Sequence, residues 1–202
     1  MIRLLVSGAL LVLAGLAWGA DAGLSKPVFL VARPDMGDPN FHDSVVLLTR
    51  YGPPGAVGVI VNKRTEVPLA RVLPEQEGRF GPDDRLFFGG PVAAQVVSFV
   101  FRAPEGRPGA LRLAEGAWAG SSPELLGELL QRDKPTEGLR VFAGLAGWAP
   151  GQLDAEIDHG DWRKLPVDAH ALFDVKPERL WGELDRRASA TPVRYVPAHA
   201  RR

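Results

Sequence analysis

Cysteine is absent from the chain, which removes disulfides, thiolate nucleophiles, cysteine-ligated zinc and iron–sulfur clusters in one step. An excess of charge of either sign is also lacking: 24 Lys and Arg face 24 Asp and Glu, for zero net charge at pH 7. Proteins that grip nucleic acid through its phosphates usually carry a basic excess, so the balance argues against that partner. Hydrophobic residues fill 46% of the 202 positions, which excludes a highly charged disordered chain and suits one packed domain. Catalytic signatures are missing as well. There is no G-x-x-x-x-G-K-[ST] phosphate loop, no G-x-S-x-G elbow around Ser44 or Ser98, and no H-E-x-x-H. Asp154, Glu156, Asp158, His159 and Asp161 form an acidic run, but on a helix such side chains point several ways around the axis and cannot all reach one ion. No metal, no cofactor and no catalytic residue is expected.

What is present begins with a leader pattern. Arg3 gives a positive start, Leu4 to Trp18 carry no charge, and Ala20-Asp21-Ala22 is a small-x-small cleavage site, with cuts after Gly19 or Ala20 as alternatives. The apolar run of about 15 residues is short against the ~20 needed to span a bilayer. Residues 1–22 are expected to be a signal peptide, leaving no stable membrane span after cleavage and a periplasmic or secreted protein. A retained leader would instead mean a cytoplasmic one. Residues 23–188 form the domain and residues 189–202 a basic, mobile tail.

Val28–Ala32, Ser44–Thr49 and Ala56–Val61 read as buried strands, and Tyr51-Gly52-Pro53-Pro54-Gly55 as the turn of an antiparallel hairpin. Leu86–Phe88, Val96–Phe101 and Leu139–Leu145 read as further strands, and Pro68–Leu73 as a short helix. Ser122-Pro123-Glu124 opens a helix whose stripe is Leu125, Leu126, Leu129 and Leu130, and Pro177-Glu178 opens another burying Leu180, Trp181 and Leu184. A third helix follows Pro150, with Leu153 and Ile157 buried at i, i+4. The expected core is Leu30, Val46, Val59, Phe88, Phe99, Leu129, Val141 and Trp181.

Four blocks then resemble one family. Phe29-Leu30-Val31-Ala32-Arg33-Pro34-Asp35-Met36-Gly37-Asp38-Pro39-Asn40-Phe41-His42-Asp43-Ser44 is similar to the opening signature of the AlgH/YqgE family. So are Gly55–Asn62, Gly89-Gly90-Pro91-Val92 and Ala143–Ile157 with Trp162, in the same order from about Pro27 to Trp181. The resemblance implies an α+β fold: a bent, mostly antiparallel sheet curled into a partial barrel with packed helices. It carries over no catalytic residues; most members are bacterial proteins without assigned biochemistry, and one branch is associated with transcriptional control. Tyr51, Phe101-Arg102 and Lys63 stand where members often have His, Leu-His and Arg.

The signature residues Asp38, Ser44, Asn62, Trp148, Gln152 and Glu156 admit two roles. They hold an irregular fold together as a clasp, or they converge on a small polar pocket; burying unpaired amides and carboxylates beside apolar strands is costly, so one of the two must hold. The function expected is that of a non-enzymatic binding or regulatory protein, whose partner is a protein or a small polar ligand. The alternatives are a cytoplasmic transcriptional regulator, should the leader be retained, and a hydrolase or lyase using Asp38 or Glu156.

Overall fold

Short runs of β-branched and aromatic residues between Gly, Pro and Asp punctuation produce ten strands among the described residues. The structure, a computed structural model, describes residues 26–190. The leader expected at residues 1–22 lies outside them, as does most of the expected tail.

β1 (Val28–Ala32), β2 (Val45–Gly52) and β3 (Gly55–Ile60) form an antiparallel meander in which Gly52 pairs with Gly55. The hairpin is therefore tighter than five loop residues, since Tyr51, Gly52 and Gly55 belong to its strands. β4 (Arg64–Pro68), α1 (Leu69–Val72) and a 3-10 segment (Pro74–Arg79) lead into β5 (Arg85–Phe88). β6 (Val92–Arg102), β7 (Leu111–Ala114) and β8 (Ala117–Gly120) precede α2 (Pro123–Leu130). β9 (Leu139–Trp148), α3 (Gln152–His159), β10 (Trp162–Pro166), α4 (Ala169–Phe173) and α5 (Pro177–Ala190) complete the order. The main path of the sheet runs β10-β1-β2-β3-β9-β6-β8-β7, and β5 joins β4 to β9 as the parallel partner of β9. The result is a curled, mostly antiparallel half-barrel with helices on both faces, as the family resemblance implies.

One face of the sheet packs Phe29, Val31, Leu47, Val59, Val100 and Phe142 against Leu172, Leu180 and Leu184 of α4 and α5. The other carries two clusters. Leu30, Val46, Ile60, Ala146 and Trp148 pack with Leu153 of α3, while Phe99, Phe101 and Val141 pack with the α2 leucines. The Ser122 hydroxyl accepts from Leu125 N at 3.2 Å, the expected N-cap.

A glycine in β9 decides which residues reach which cluster. Arg140 and Phe142 face α5, and Val141 faces α2. At Gly144 (φ +81°) the alternation slips, so that Leu145 joins the α5 side while Ala146 and Trp148 reach the α3 side. Without that extra residue Trp148 would point into the wrong layer. Gly144 is fixed by Gly89 and Gly90: Gly89 N donates to Ala143 O, and Ile60 N donates to Gly89 O, both at 2.8 Å. A Cβ on Gly90 would lie 2.2 Å from the Leu145 carbonyl carbon, and one on Gly144 would lie 2.3 Å from Gly90 O.

Arg140 is a buried cation on the α5 side. Its guanidinium donates to Val61 O at 3.2 Å and Val175 O at 3.0 Å, and stacks over Phe87. Desolvation pushes its pKa down to about 10, which leaves it charged at neutral pH.

Several expectations are corrected. In β5 the buried ring is Phe87 and Phe88 is half-buried, because the strand presents Phe87 to the α5 layer. Trp181 is also half-buried, its Nε1 donating to Ala32 O at 2.8 Å. The last helix continues to Ala190, past the expected boundary at residue 188, and Arg187 lies on it, 2.9 Å from the Asp168 carboxylate.

Gly144→Ala is expected to cost about 3 kcal/mol or more, from positive φ plus backbone overlap. Gly109→Ala shares a positive φ (+77°) but has open space, so it should cost about 1–2 kcal/mol. Urea midpoints that fall equally for the two variants would contradict a close backbone approach at Gly144.

Candidate functional site

The signature residues cluster at two neighbouring places on the α3 side of the sheet. The first is built on α3. Its N-cap is Gly151, which offers no side chain, and Gln152 replaces it by closing the preceding turn: Ala149 N donates to Gln152 Oε1, and Gln152 N donates to Ala149 O, both at 3.1 Å. One turn later Glu156 accepts from Gln152 Nε2 at 2.9 Å, the expected i, i+4 pair. Its other oxygen turns inward and accepts from two indoles, Trp148 Nε1 at 2.8 Å and Trp162 Nε1 at 2.9 Å. Trp148 ends β9 and Trp162 opens β10, so one carboxylate ties two strands to the helix beside them. Both indoles are nearly fully buried, where an unpaired N–H is expensive.

Phe41 completes the aromatic group. Its ring stacks on Trp148 at 5.8 Å and meets Trp162 edge-on at 5.6 Å, and the two indoles lie 6.0 Å apart. On the outer side of α3 the Tyr51 hydroxyl donates to the Asp154 carboxylate. That hydrogen bond, helped by some burial and by the charges of Asp154 and Asp158, raises the Tyr51 pKa and keeps the phenol protonated.

The second place is the connection between β1 and β2. Asp38 Oδ1 accepts from Asn40 N at 2.8 Å, and Asp38 O accepts from Phe41 N and His42 N. This is the rigid Asx turn its sequence implies, and it delivers Phe41 to the indoles. Asn62, just past β3, uses both ends of its amide: Oδ1 accepts from Val45 N at 2.8 Å and Nδ2 donates to Asp43 O at 2.9 Å. Lys63 Nζ donates to Asn40 O at 2.8 Å. Partial burial lowers the Lys63 pKa, against the opposing charges of Asp43 and Asp38. Ser44 O accepts from Ala32 N, but the Ser44 hydroxyl is buried and bonds nothing.

Asp38, Ser44 and Asn62 therefore belong to one hydrogen-bonded set, and Trp148, Gln152 and Glu156 to another. Among the described residues no hydrogen bond joins the two sets; Phe41 links them through its ring. In place of one pocket gathering all these polar groups, there are two hydrogen-bonded knots sharing an aromatic plug, with the Ser44 hydroxyl left unpaired. The acidic run divides likewise: Asp154 faces Tyr51, Glu156 faces the indoles, and Asp161 pairs with His159. Among the described residues no group of three or more His, Asp or Glu is placed to hold a metal ion. Sequence reasoning left Lys63 and Trp162 out of the site. The signal available for Trp162 was its own indole N–H, which needs an acceptor once its strand is buried.

A stability series separates a clasp from a ligand pocket. Glu156→Ala strands two buried indole N–H groups and should cost about 2–4 kcal/mol, and Asn62→Ala about 1–3 kcal/mol. Glu156→Gln keeps one oxygen that both indoles can reach and should cost less than half as much as Glu156→Ala. Ser44→Ala removes an unpaired buried hydroxyl and should leave the unfolding midpoint unchanged or raised. Unchanged stability in Glu156→Ala would contradict the clasp.

Comparison with known proteins places this architecture among relatives. A DUF179 family model, described as AlgH-like, matches residues 29–192. A UPF0301 protein of Anaeromyxobacter dehalogenans (strain 2CP-C) is 37% identical over 189 residues, covering 88% of this chain and 94% of the relative. UPF0301 protein SCO2948 of Streptomyces coelicolor is 37% identical over 164 residues, covering 78% and 83%. The crystal structure of protein DIP2367 from Corynebacterium diphtheriae superposes with a TM-score of 0.66 at 30% identity, covering 86% of this chain and 90% of that one. The solution structure of the AlgH protein from Pseudomonas aeruginosa gives 0.65 at 25% identity, covering 90% and 98%.

Proposed function

The chain belongs to the AlgH-like, UPF0301 family, and from that premise we propose that it is a non-enzymatic binding or regulatory protein, exported once residues 1–22 are removed. The observation that carries the non-enzymatic reading is the engagement of both Glu156 oxygens. A general base needs a carboxylate oxygen free to take a proton from substrate, whereas both Glu156 oxygens already accept hydrogen bonds from Gln152, Trp148 and Trp162. In Asp38 one oxygen, Oδ1, caps its own turn, so the non-enzymatic reading rests on Glu156 and not on this carboxylate. The paired amide of Asn62 likewise offers little to a small polar ligand.

Export rests on the charge-free Leu4–Trp18 run before the small-x-small site. No helix among the described residues is long and apolar enough to cross a membrane. Fractionated cells should yield the protein in the periplasm or the medium, with an N-terminus at Gly23, or at Ala20 or Asp21 for the alternative cuts. Full-length protein starting at Met1 in the cytosol would overturn export and favour a cytoplasmic regulator.

A further inference from the structure

Away from the clasp, a cavity of about 360 Å3 lies between α2, the middle of β6 and the chain leaving α1. Its floor is Phe99 with Val97, one wall is Leu126 and Leu130 of α2, and the facing wall is Val72 and Leu73. Phe99, Leu126 and Leu130 are buried. The roof is the start of the 3-10 segment, which contributes no buried residue and is tied to the end of α2 by a hydrogen bond from Arg79 to Gln131.

Gly127 gives the cavity a purpose. It sits inside α2, among residues that otherwise favour helix, where glycine is less stable than alanine. It lines the cavity, and no heavy atom lies within 4 Å of where its Cβ would be. No close packing demands a glycine here; a larger side chain would enter the open space. The cleft opens to solvent between half-buried residues, so its apolar lining meets water unless a ligand covers it, and its volume falls near the lower end of the roughly 300–1,000 Å3 typical of small-molecule sites. The lining also selects by charge. Glu75 is the one ionisable residue in it, and the Ser122 hydroxyl is already engaged with Leu125 N and Glu124. An anion would find no cation in the lining and would meet the Glu75 carboxylate at the mouth.

We propose that this cavity is the binding site of a single uncharged, apolar small molecule, aromatic or short-chained, carrying at most one hydrogen-bonding group directed to Ser121 or Gln76. This rests on the reading that the protein binds its ligand without transforming it.

The test is fluorescence titration of the full chain with N-phenyl-1-naphthylamine, which is uncharged, and with 8-anilino-1-naphthalenesulfonate, which is anionic. Wild type and Gly127→Ala should bind the uncharged probe saturably, one per chain, and the anionic probe at least tenfold more weakly. Gly127→Leu should weaken uncharged-probe binding at least tenfold, with a thermal midpoint at or above that of wild type. Val97→Phe fills the cavity from the opposite wall and should do the same, which covers the case in which Gly127→Leu folds poorly. No saturable binding by wild type, equal binding by a folded filling variant, or equal affinity for the two probes would overturn the site. So would a dimer that Gly127→Leu converts to monomer, since the occupant would then be a side chain of a second copy. Mass spectrometry of the extracted probe keeps the two readings apart: altered probe counts against the non-enzymatic reading, whereas failure to bind counts against the cavity alone.

Discussion

Three glycines, Gly89, Gly90 and Gly144, bring two backbone segments closer than any side chain allows, and much of the molecule's layering follows from that contact. Where they meet, β5 hands its place beside β9 to β3, and β9 slips by one residue. A strand has a period of two, so a slip of one exchanges its faces. The first half of β9 therefore lends Val141 to the α2 cluster, while its second half lends Trp148 to the α3 cluster on the same side of the sheet. Arg140 reinforces the arrangement from the other side by tying the end of β3 to the turn before α5.

The clasp depends on that placement. Trp148 and Trp162 flank α3 on consecutive strands, β9 and β10, that three other strands separate in the sheet, and each brings a buried N–H that must find an acceptor. Glu156 supplies one oxygen to both, and Phe41 fills the angle between the rings. A carboxylate held this way is a structural acceptor. Several residues that make the sequence recognisable thus also hydrogen-bond neighbouring segments together. A cleft on the same side of the sheet lies in the α2 cluster, beside Gly127.

The parts legible in the sequence are those whose signal is local. β1, β2 and β3 are unbroken apolar runs between strong turns, and α2 and α5 announce themselves by proline, an early acid and a leucine stripe. β4, β7, β8, β10 and α4 were not legible. β4 is Arg-Thr-Glu-Val-Pro and β10 is Trp-Arg-Lys-Leu-Pro, polar strands at the margins of the sheet whose charges keep an edge soluble. β7 and β8 are four residues each, too short for alternation to stand out from a loop. A run of three apolar residues, Leu86-Phe87-Phe88, does not reveal its phase, which is why the sequence points to Phe88 where the structure buries Phe87. In the site, the Gln152–Glu156 pair and the Asp38 turn follow from spacing alone. The partners of Asn62 and Glu156 do not, because Asp43, Val45, Trp148 and Trp162 are brought to them by the sheet.

Hydrogen exchange at the indole Nε1–H groups, followed by nitrogen–proton NMR, tests the central claim most directly. If the carboxylate of Glu156 belongs to the closed fold, the indole protons of Trp148 and Trp162 exchange as slowly as the best-protected amides of β1, β2 and β3, opening only when the domain unfolds. Rapid exchange at both indoles while those amides stay protected would contradict the clasp and return Glu156 to the surface as a free carboxylate.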